Sequence, residues 1–338
     1  MDIAKLPRGI FSGNIPQCGH VQGIATDGEF MYFSFTTKLI KTDLAGNLVG
    51  SVTGLTGHLG CIAYSDTDRC IYGSLEYKND SIGMGILKGL GRQDSNPDAF
   101  YIARFETERI CETGMDAMTH GIMTMVKLAD AVEDYTCTTG ANPHRYGCSG
   151  IDGITIMPDY NGARTIFVAY GIYGDVKRDD NDNQVLLRFD FDRINGKFAP
   201  IRPDDKGDGI RAEEKLFVYT GNTSYGIQNL EYDPYTGCLL AAVYRGQKPQ
   251  FPNRAMYFID PAKTVTLPDG RTGFGLAERG LPHPSGIWGS DFSLGSTGLI
   301  ALGGGYYYFS QNGTTENREQ FSRVSLYRLE GTGDFVKA

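Results

Sequence analysis

The chain has 338 residues, enough for two ordinary domains or one large all-β domain, and its 45 Gly, 20 Tyr and 18 Phe favour short strands joined by turns. Its net charge of −8 excludes the broad basic surface that nucleic-acid binding requires. No apolar run approaches the length of a membrane span, and the first residues, MDIAKLPRGIFSG, lack the apolar segment of a secretory signal, so we expect no membrane partner.

Five phrases in the sequence share a small residue followed by an apolar residue. In chain order they are HVQGIATD (20–27), HLGCIAYS (58–65), GIDGITIMPD (150–159), GIQNLEYD (226–233) and HPSGIWGSD (283–291). Each is followed by a turn, a β-rich run and a third run with a polar end, and weaker fourth runs include LVGSV and KLFVY. This order predicts an all-β fold: one β-propeller domain spanning residues 1–338, with five blades of four antiparallel strands.

One segment departs from the repeat. The stretch DAMTHGIMTMVKLADAVEDY, residues 116–135, places apolar residues at helical spacing. We expect a helical insertion at about 113–148, between the second and third blades.

The connections between second and third strands are long in four of the predicted blades, at residues 78–99, 174–183, 246–254 and 310–321. In a propeller these connections lie on the same face as the segments that enter the first strands. The opposite-face turns are short. The sequence therefore predicts that this face, at the mouth of the central channel, is the functional one.

Three of the five histidines, His20, His58 and His283, occupy the first position of the repeated phrase. Ring closure makes their blades neighbours, so the imidazoles are expected to converge. Two positions further along come oxygen-bearing residues on the same side of the strand: Gln22, Asp152 and Gln228. Imidazoles with an oxygen ligand suit a divalent transition metal, namely Mn, Zn, Fe or Ni. The alternative is that each histidine only hydrogen-bonds a neighbouring blade.

Aromatic and basic residues around the predicted mouth suit the faces and carboxylates of sugars. The candidate substrate-binding residues are Tyr77, Lys78, Tyr173, Tyr225, Arg245, Lys248 and Tyr307. The candidate catalytic residues are His144, Arg145 and Tyr146. A tyrosine or histidine of this second set would accept the proton removed from the substrate.

The three histidines with Gln228 or Gln22 resemble the metal site of oligogalacturonate lyases. In that family the metal neutralises a substrate carboxylate before β-elimination, so the resemblance implies a metal-dependent lyase acting on a sugar acid. Five-bladed glycosidases similar to arabinanases and invertases need two or three carboxylates around the channel, whereas Asp152 alone is in register in these phrases. Lactonases similar to regucalcin are a weaker match, through Asp152, Asn229 and Glu231.

The first expectation from sequence is therefore a metal-dependent lyase acting on a sugar acid or oligosaccharide. The alternatives are a lactonase or glycoside hydrolase on the same face, or a propeller that binds a glycan or protein without catalysis. Seven cysteines without a close pair suggest reduced thiols and a cytoplasmic location. The oligomeric state stays open.

Overall fold

In the computed structural model, which describes residues 3–158, 162–205, 207–267 and 270–338, almost all regular structure is β-strand. A short strand, β1 (Gly9–Phe11), comes first. The next two groups of strands form blades one and two. Blade one contains β2 (Val21–Thr26), β3 (Phe30–Phe35), β4 (Lys38–Asp43) and β5 (Leu48–Thr53). Blade two contains β6 (His58–Ser65), β7 (Cys70–Tyr77) and β8 (Ala99–Glu106), and after the short β9 (Met115–Asp116) it is completed by β10 (Met123–Lys127).

A small hairpin of β11 (Thr138–Thr139) and β12 (Asn142–Pro143) leads into blade three. Blade three contains β13 (Cys148–Pro158), β14 (Arg164–Ile172), β15 (Asn183–Asp190) and β16 (Glu214–Tyr219). Blade four contains β17 (Thr223–Asp233), β18 (Cys238–Arg245), β19 (Met256–Thr266) and β20 (Thr272–Leu276). Blade five contains β21 (Leu299–Gly303), β22 (Tyr306–Thr314), β23 (Gln320–Glu330) and β24 (Asp334–Lys337).

The blades form a ring around a central channel, as in a β-propeller. Within each blade successive strands pair antiparallel. The first strands of neighbouring blades contact each other in chain order, from β2 through β6, β13 and β17 to β21, and β21 contacts β2. Both ends of the chain pair with β23, where Ile10 lies opposite Val324 and Phe335 opposite Leu329. The amino-terminal strand thereby joins the last blade and closes the ring.

Apolar side chains fill the spaces between blades. Tyr72 and Phe100 of blade two pack with Ile154 and Val168 of blade three, and similar clusters join the other neighbouring pairs. Alternation along each strand supplies one such face to each neighbour. The blades are therefore held together mainly by buried apolar area.

The helix predicted in residues 116–135, between blades two and three, is present but much shorter than expected. Within that segment the structure has β9, a turn and β10, the outer strand of blade two, and only Ala129–Thr136 is helical. The apolar residues Ile122, Met123, Met125 and Val126 are all buried, and their spacing is compatible with either period. Pairing of β10 with β8 decides in favour of a strand.

The remaining helices are short. The α-helices are α1 (Ser81–Gly89), α2 (Ala129–Thr136) and α3 (Phe191–Asn195), and the 3₁₀ helices are Ile3–Lys5, Thr107–Arg109 and Arg145–Gly147. Asp80 caps the amino-terminal end of helix α1, where its carboxylate accepts hydrogen bonds from the backbone N–H of Ile82 and Gly83. Among the described residues no helix is both long and apolar enough to cross a membrane. All seven cysteines are free thiols.

Candidate functional site

A cavity of about 540 Å³ lies at the mouth of the channel, on the face where the first strands begin. Helix α1, in the long connection between β7 and β8, covers one side of it. Blades one to four contribute most of its polar lining, which includes His20, Gln22, Thr36, Thr37, His58, Glu76, Lys78, Ser149, Asp152, Tyr225, Gln228 and Tyr244. The functional face expected from the long connections therefore does contain a ligand-sized cavity.

Several residues predicted from the repeated phrase meet in this cavity. Two of the histidines, His20 and His58, line it together with Asp152. The amides of Gln22 and Gln228 line it as well, where Gln22 Nε2 donates to Thr36 Oγ1 and Gln228 Nε2 donates to the Tyr225 carbonyl. The shared register of the first strands is what brings these side chains together.

The prediction that His283 joins this group is wrong. The phrase 283–291 is not a first strand, because β21 begins only at Leu299. Instead, Leu281 bridges Gly289 and Ser290 bridges Met256, so the segment packs beside the third strand of blade four. The His283 Nδ1 atom lies 2.8 Å from Ser285 Oγ. A phrase of a few small and apolar residues recurs readily in a glycine-rich chain, and the strand pairing places this copy outside the repeat.

The donors in the cavity do not fit the predicted metal. A structural or catalytic site for Zn or a similar ion needs at least three well-placed protein ligands. The described residues contain no group of three or more His, Cys, Asp or Glu side chains arranged to hold a metal ion. We therefore derive no chemical step through a metal.

Glu76 on β7 is a buried carboxylate that the sequence reasoning missed. Its Oε1 atom lies 2.6 Å from Lys78 Nζ and 3.5 Å from His58 Nδ1, and its Oε2 atom accepts a hydrogen bond of 2.9 Å from Ile151 N. Burial opposes ionisation, but the charge of Lys78 and the contact with His58 outweigh it and hold the pKa of Glu76 below its usual value. Glu76 is therefore ionised at neutral pH.

Asp152 on β13 is the other carboxyl group of the cavity, and its environment has the opposite effect. Its Oδ1 atom is buried and has no hydrogen-bond partner among the described residues. Burial raises the pKa of Asp152 to about 7, and the negative charge of Glu76 adds to the increase. Asp152 is therefore partly protonated at neutral pH. Two carboxyl groups with pKa values displaced in opposite directions are typical of a catalytic acid and an ionised carboxylate that acts beside it.

Two glycines make room for these carboxyl groups. A Cβ atom at position 60 would lie 2.3 Å from Asp152 Oδ1 and 2.6 Å from Ser74 Oγ. A Cβ atom at position 150 would lie 1.9 Å from Glu76 Oε2, and the φ of Gly150 is +125°, where a side chain is strained. The site therefore requires glycine at both positions, and at position 150 the backbone conformation requires it as well.

The pKa values of the two histidines of the cavity are displaced in opposite directions. Burial opposes protonation of His58, yet the neighbouring carboxyl groups of Glu76 and Asp152 outweigh it and raise the His58 pKa. Burial lowers the pKa of His20, and the nearby charge of His58 lowers it further. At neutral pH His20 is therefore a neutral imidazole.

Lys78 binds three oxygens of the protein. In addition to Glu76, its Nζ atom donates 2.7 Å to the Ser149 carbonyl and lies 3.5 Å from Asp80 Oδ2. Burial opposes its charge, but the carboxylates of Glu76 and Asp80 keep the Lys78 pKa above its usual value. Lys78 therefore lies in the cavity, as predicted. Its ammonium group is bound to Glu76, Asp80 and the Ser149 carbonyl, so it is not free to bind a substrate carboxylate.

The predicted catalytic residues lie outside this cavity. Arg145 pairs with Asp134 at 2.9 Å and Glu133 at 3.3 Å. Tyr146 packs against Phe217, with ring centroids 5.0 Å apart. The structure therefore does not bring Arg145 and Tyr146 to the channel mouth, where a proton acceptor was expected, because their side chains contact helix α2 and blade three.

His144 has a different place, in a second cavity next to the first. Its Nδ1 atom lies 2.5 Å from the Tyr135 carbonyl, and its ring lies 5.2 Å from the ring of Tyr173. Tyr173 also lines the second cavity, and its hydroxyl donates to Asp80 Oδ2 at 3.1 Å. Tyr225 lines both cavities.

Four further residues predicted to bind substrate have structural roles. Tyr77 is buried against Tyr101, and Tyr307 is fully buried with its hydroxyl 2.7 Å from Asp233 Oδ2. Arg245 pairs with Asp291 at 3.0 Å, and the buried Lys248 donates to Asn181 Oδ1 at 2.8 Å. Because side chains alternate along a strand, Tyr77 and Tyr307 both point into the core. Their position near the predicted mouth did not show this.

A sequence signal for Glu76 was present in its strand. In CIYGSLEYK, residues 70–78, polar side chains recur at Ser74, Glu76 and Lys78, two positions apart in an otherwise apolar run. With a period of two these side chains share one face, and that face is directed toward the channel: Ser74 Oγ donates to the Asp152 carbonyl. The strand alternation therefore carried information that the first-strand phrases did not.

Comparisons with known proteins show likeness in shape alone. No model of a protein family matches the sequence, and no curated protein matches it. Similar solved structures include a xylan β-1,4-xylosidase from Bacillus halodurans, at 9% identity, with 95% of this chain and 56% of that chain covered and a TM-score of 0.45. A thermostable family-43 glycoside hydrolase is 9% identical, with 94% and 93% of the two chains covered and a TM-score of 0.43. An arabinanase from Bacillus subtilis is 10% identical, with 94% and 97% covered and a TM-score of 0.42. At these values the likeness assigns no activity to this chain.

Proposed function

We propose that this chain is a carbohydrate hydrolase whose reacting bond lies between Asp152 and Glu76 in the channel-mouth cavity. The observation that carries the proposal is the pair of carboxyl groups in one cavity, one with a pKa of about 7 and the other ionised. Hydrolysis of a glycosidic bond needs a proton donor and an ionised carboxylate at the same centre. This reading favours the hydrolase alternative over the lyase.

Asp152 has the properties of the proton donor. Its carboxyl group is in the protonated form in part of the molecules at neutral pH, and its Oδ1 atom is left without a protein partner in a cavity wall. A general acid works best when its pKa is near the working pH. Asp152 would therefore protonate the leaving oxygen of the sugar.

Glu76 would supply the negative charge. Lys78 and His58 keep it ionised, and Ile151 N fixes its orientation. An ionised carboxylate stabilises the positive charge that develops at the sugar carbon, and it either attacks that carbon or activates a water molecule. The anomeric configuration of the first product, followed by NMR, distinguishes these two roles.

The rest of the lining suits an uncharged sugar ring. Amide and hydroxyl groups of Gln22, Gln228, Thr36 and Thr37 can exchange hydrogen bonds with sugar hydroxyls, and Tyr244 presents an aromatic face. The volume of about 540 Å³ falls in the range of ordinary small-molecule sites. A lyase acting on a sugar acid would need a cation for the substrate carboxylate, and Lys78 is already bound to three protein oxygens.

The direct test is a screen of 4-nitrophenyl glycosides of pentoses, hexoses and hexuronic acids, together with neutral oligosaccharides. We expect hydrolysis, seen as products that have gained water without new unsaturation in the ultraviolet. The kcat/KM should fall as the pH rises through about 7, because Asp152 then loses the proton that it must donate. Products with new unsaturation would contradict the proposal and restore the lyase.

A further inference from the structure

A second cavity of about 550 Å³ adjoins the first on the same face. Its walls come from the β14–β15 and β18–β19 connections and from the segment before β13. Its lining includes His144, Tyr173, Ser224, Tyr225 and Gln247. Tyr225 lines both cavities, so they are adjacent spaces that share this residue.

Buried cations hold the walls of the second cavity in place. Arg178 is buried and donates 2.6 Å to the Pro143 carbonyl and 2.8 Å to the His144 carbonyl, while pairing with Asp180. Lys248 is buried and donates to the Arg178 carbonyl. Fully bonded cations of this kind fix loops that would otherwise be mobile. The cavity is thus formed before any ligand arrives, which lowers the entropic cost of binding.

Tyr225 is positioned at the boundary by an uncommon backbone conformation. Its φ is +65°, in the left-handed region that bulky residues rarely adopt, and its carbonyl accepts the hydrogen bond from Gln228. The side chain is 47% exposed. Strain of this kind persists where the surrounding structure holds it, and it is common at binding sites.

The chemistry of the lining favours a neutral sugar. The ring of Tyr173, near that of His144, and the ring of Tyr225 offer surfaces on which a sugar ring can stack, and the amide of Gln247 can bond its hydroxyls. The guanidinium group of Arg178 is paired with Asp180, and the exposed carboxylate of Asp175 would repel an acidic sugar.

We infer that the second cavity binds the next sugar unit of a neutral oligosaccharide while the reacting unit occupies the first cavity. This inference rests on the proposed function and extends it, since it makes the preferred substrate an oligosaccharide. The side chain of Tyr225 would contact both units.

The experiment fills the second cavity and compares two substrates. The variant is Gln247→Trp, and its matched control is Gln250→Trp, an exposed glutamine of the same connection that lines neither cavity. For each protein, kcat/KM is measured on the best 4-nitrophenyl glycoside and on the neutral trisaccharide of the same sugar. We expect the ratio of trisaccharide to glycoside values to fall tenfold or more in Gln247→Trp and to stay within twofold in Gln250→Trp.

An unchanged ratio in folded Gln247→Trp would overturn the inference and leave the proposed function intact. If Gln247→Trp does not fold, Gln247→Ala and Tyr225→Ala replace it, with an expected fall of threefold or more in the same ratio.

If wild-type protein hydrolyses no sugar in the screen, the proposed function is wrong and the second cavity is tested by binding. Saturation-transfer NMR with neutral trisaccharides of xylose, arabinose, glucose and galactose then serves as the probe. Binding that Gln247→Trp abolishes would support the second cavity as a sugar site, and no binding by wild-type protein would overturn it.

Discussion

A carboxyl group with a raised pKa lies at each end of the central channel, and the two ends differ in what surrounds it. At the mouth, Asp152 lies beside the ionised Glu76, with Lys78 and His58 in a cavity of about 540 Å³. At the opposite end, Glu231 on β17 has its pKa raised by burial to about 8, but its cavity is about 210 Å³. There Glu231 Oε1 accepts a hydrogen bond of 2.9 Å from Ala301 N.

At both ends burial is the main cause of the raised pKa, and the charge of a second carboxylate adds to it, Glu76 at the mouth and Asp233 at the opposite end. The other lining residues at the opposite end include Ile24, Ile62 and Ile300. At the mouth the acid also has an ionised carboxylate partner, an unpartnered oxygen and space for a ligand. A perturbed pKa therefore marks a candidate site only when the geometry offers a reaction partner.

The largest effect is expected from Asp152→Asn. It removes the transferable proton at the mouth and should lower kcat by about 10²–10⁴-fold, since this is the usual contribution of a general acid. The far-ultraviolet circular dichroism spectrum should be unchanged. Glu231→Gln is the matched control, because it replaces the protonated carboxyl group at the other end, and its kcat should stay within twofold. Equal losses of kcat in Asp152→Asn and Glu231→Gln would contradict the claim that only the carboxyl group at the mouth is catalytic.

The second effect concerns Lys78→Met. Loss of the ammonium group removes the charge that lowers the Glu76 pKa, so that pKa should rise and the acid limb of kcat/KM should move to higher pH. Activity should therefore fall more at pH 5 than at pH 7. Breaking a buried ion pair also costs stability, typically about 3–5 kcal/mol.

Lys248→Met provides the control for that loss of stability. Lys248 is equally buried and bonded to protein oxygens, but it lies away from the two carboxyl groups of the mouth. Its variant should unfold at lower denaturant concentration while the acid limb keeps its position. If the acid limb of the kcat/KM profile shifted in both variants, the shift would reflect the loss of stability and not the titration of Glu76.

A smaller effect is expected from Gly60→Ala. The new methyl group would lie 2.3 Å from Asp152 Oδ1, so the carboxyl group must move. We expect activity to fall about tenfold, because small displacements of a catalytic group are costly. The control is Gly196→Ala, where a Cβ atom meets nothing within 4 Å, and its activity should not change. Wild-type activity in Gly60→Ala would show that the position of Asp152 is not critical.

The smallest effect is a change in stability for Glu231→Gln. Because the folded pKa of Glu231 is raised to about 8, its contribution to stability is fully present below its unfolded pKa, near 4.5, and is lost as the pH rises toward 8. Glutamine does not titrate, so the variant should gain thermal stability relative to wild type across that interval. The gain should be a few degrees at most, since Glu231 is partly open to its cavity. A constant difference from pH 4 to pH 9 would show that Glu231 does not titrate as described.

The sequence alone was sufficient for the fold class and for part of the site. Period-two alternation and repeated strand order predicted a propeller because they depend on local backbone geometry. The same phrases placed His20 and His58 at their first position and Gln22, Asp152 and Gln228 at their third, on the same side of the strand, and these five residues line the cavity. The long connections correctly indicated the face that carries it.

Only the tertiary structure decided the partners of these residues. The phrase containing His283 looks like the others over nine residues, but strand pairing starts blade five at Leu299 and leaves it outside the ring of first strands. Glu76 lies on the second strand of blade two and Asp152 on the first strand of blade three, and both line the cavity, so no spacing along the chain relates the two. The pKa values of Glu76 and Asp152 are displaced in opposite directions because of burial and the charge of Lys78. Both effects exist only once the blades have packed into a ring. Local patterns determine strands and registers, whereas charge, burial and the assembly of a cavity arise when separate blades pack together.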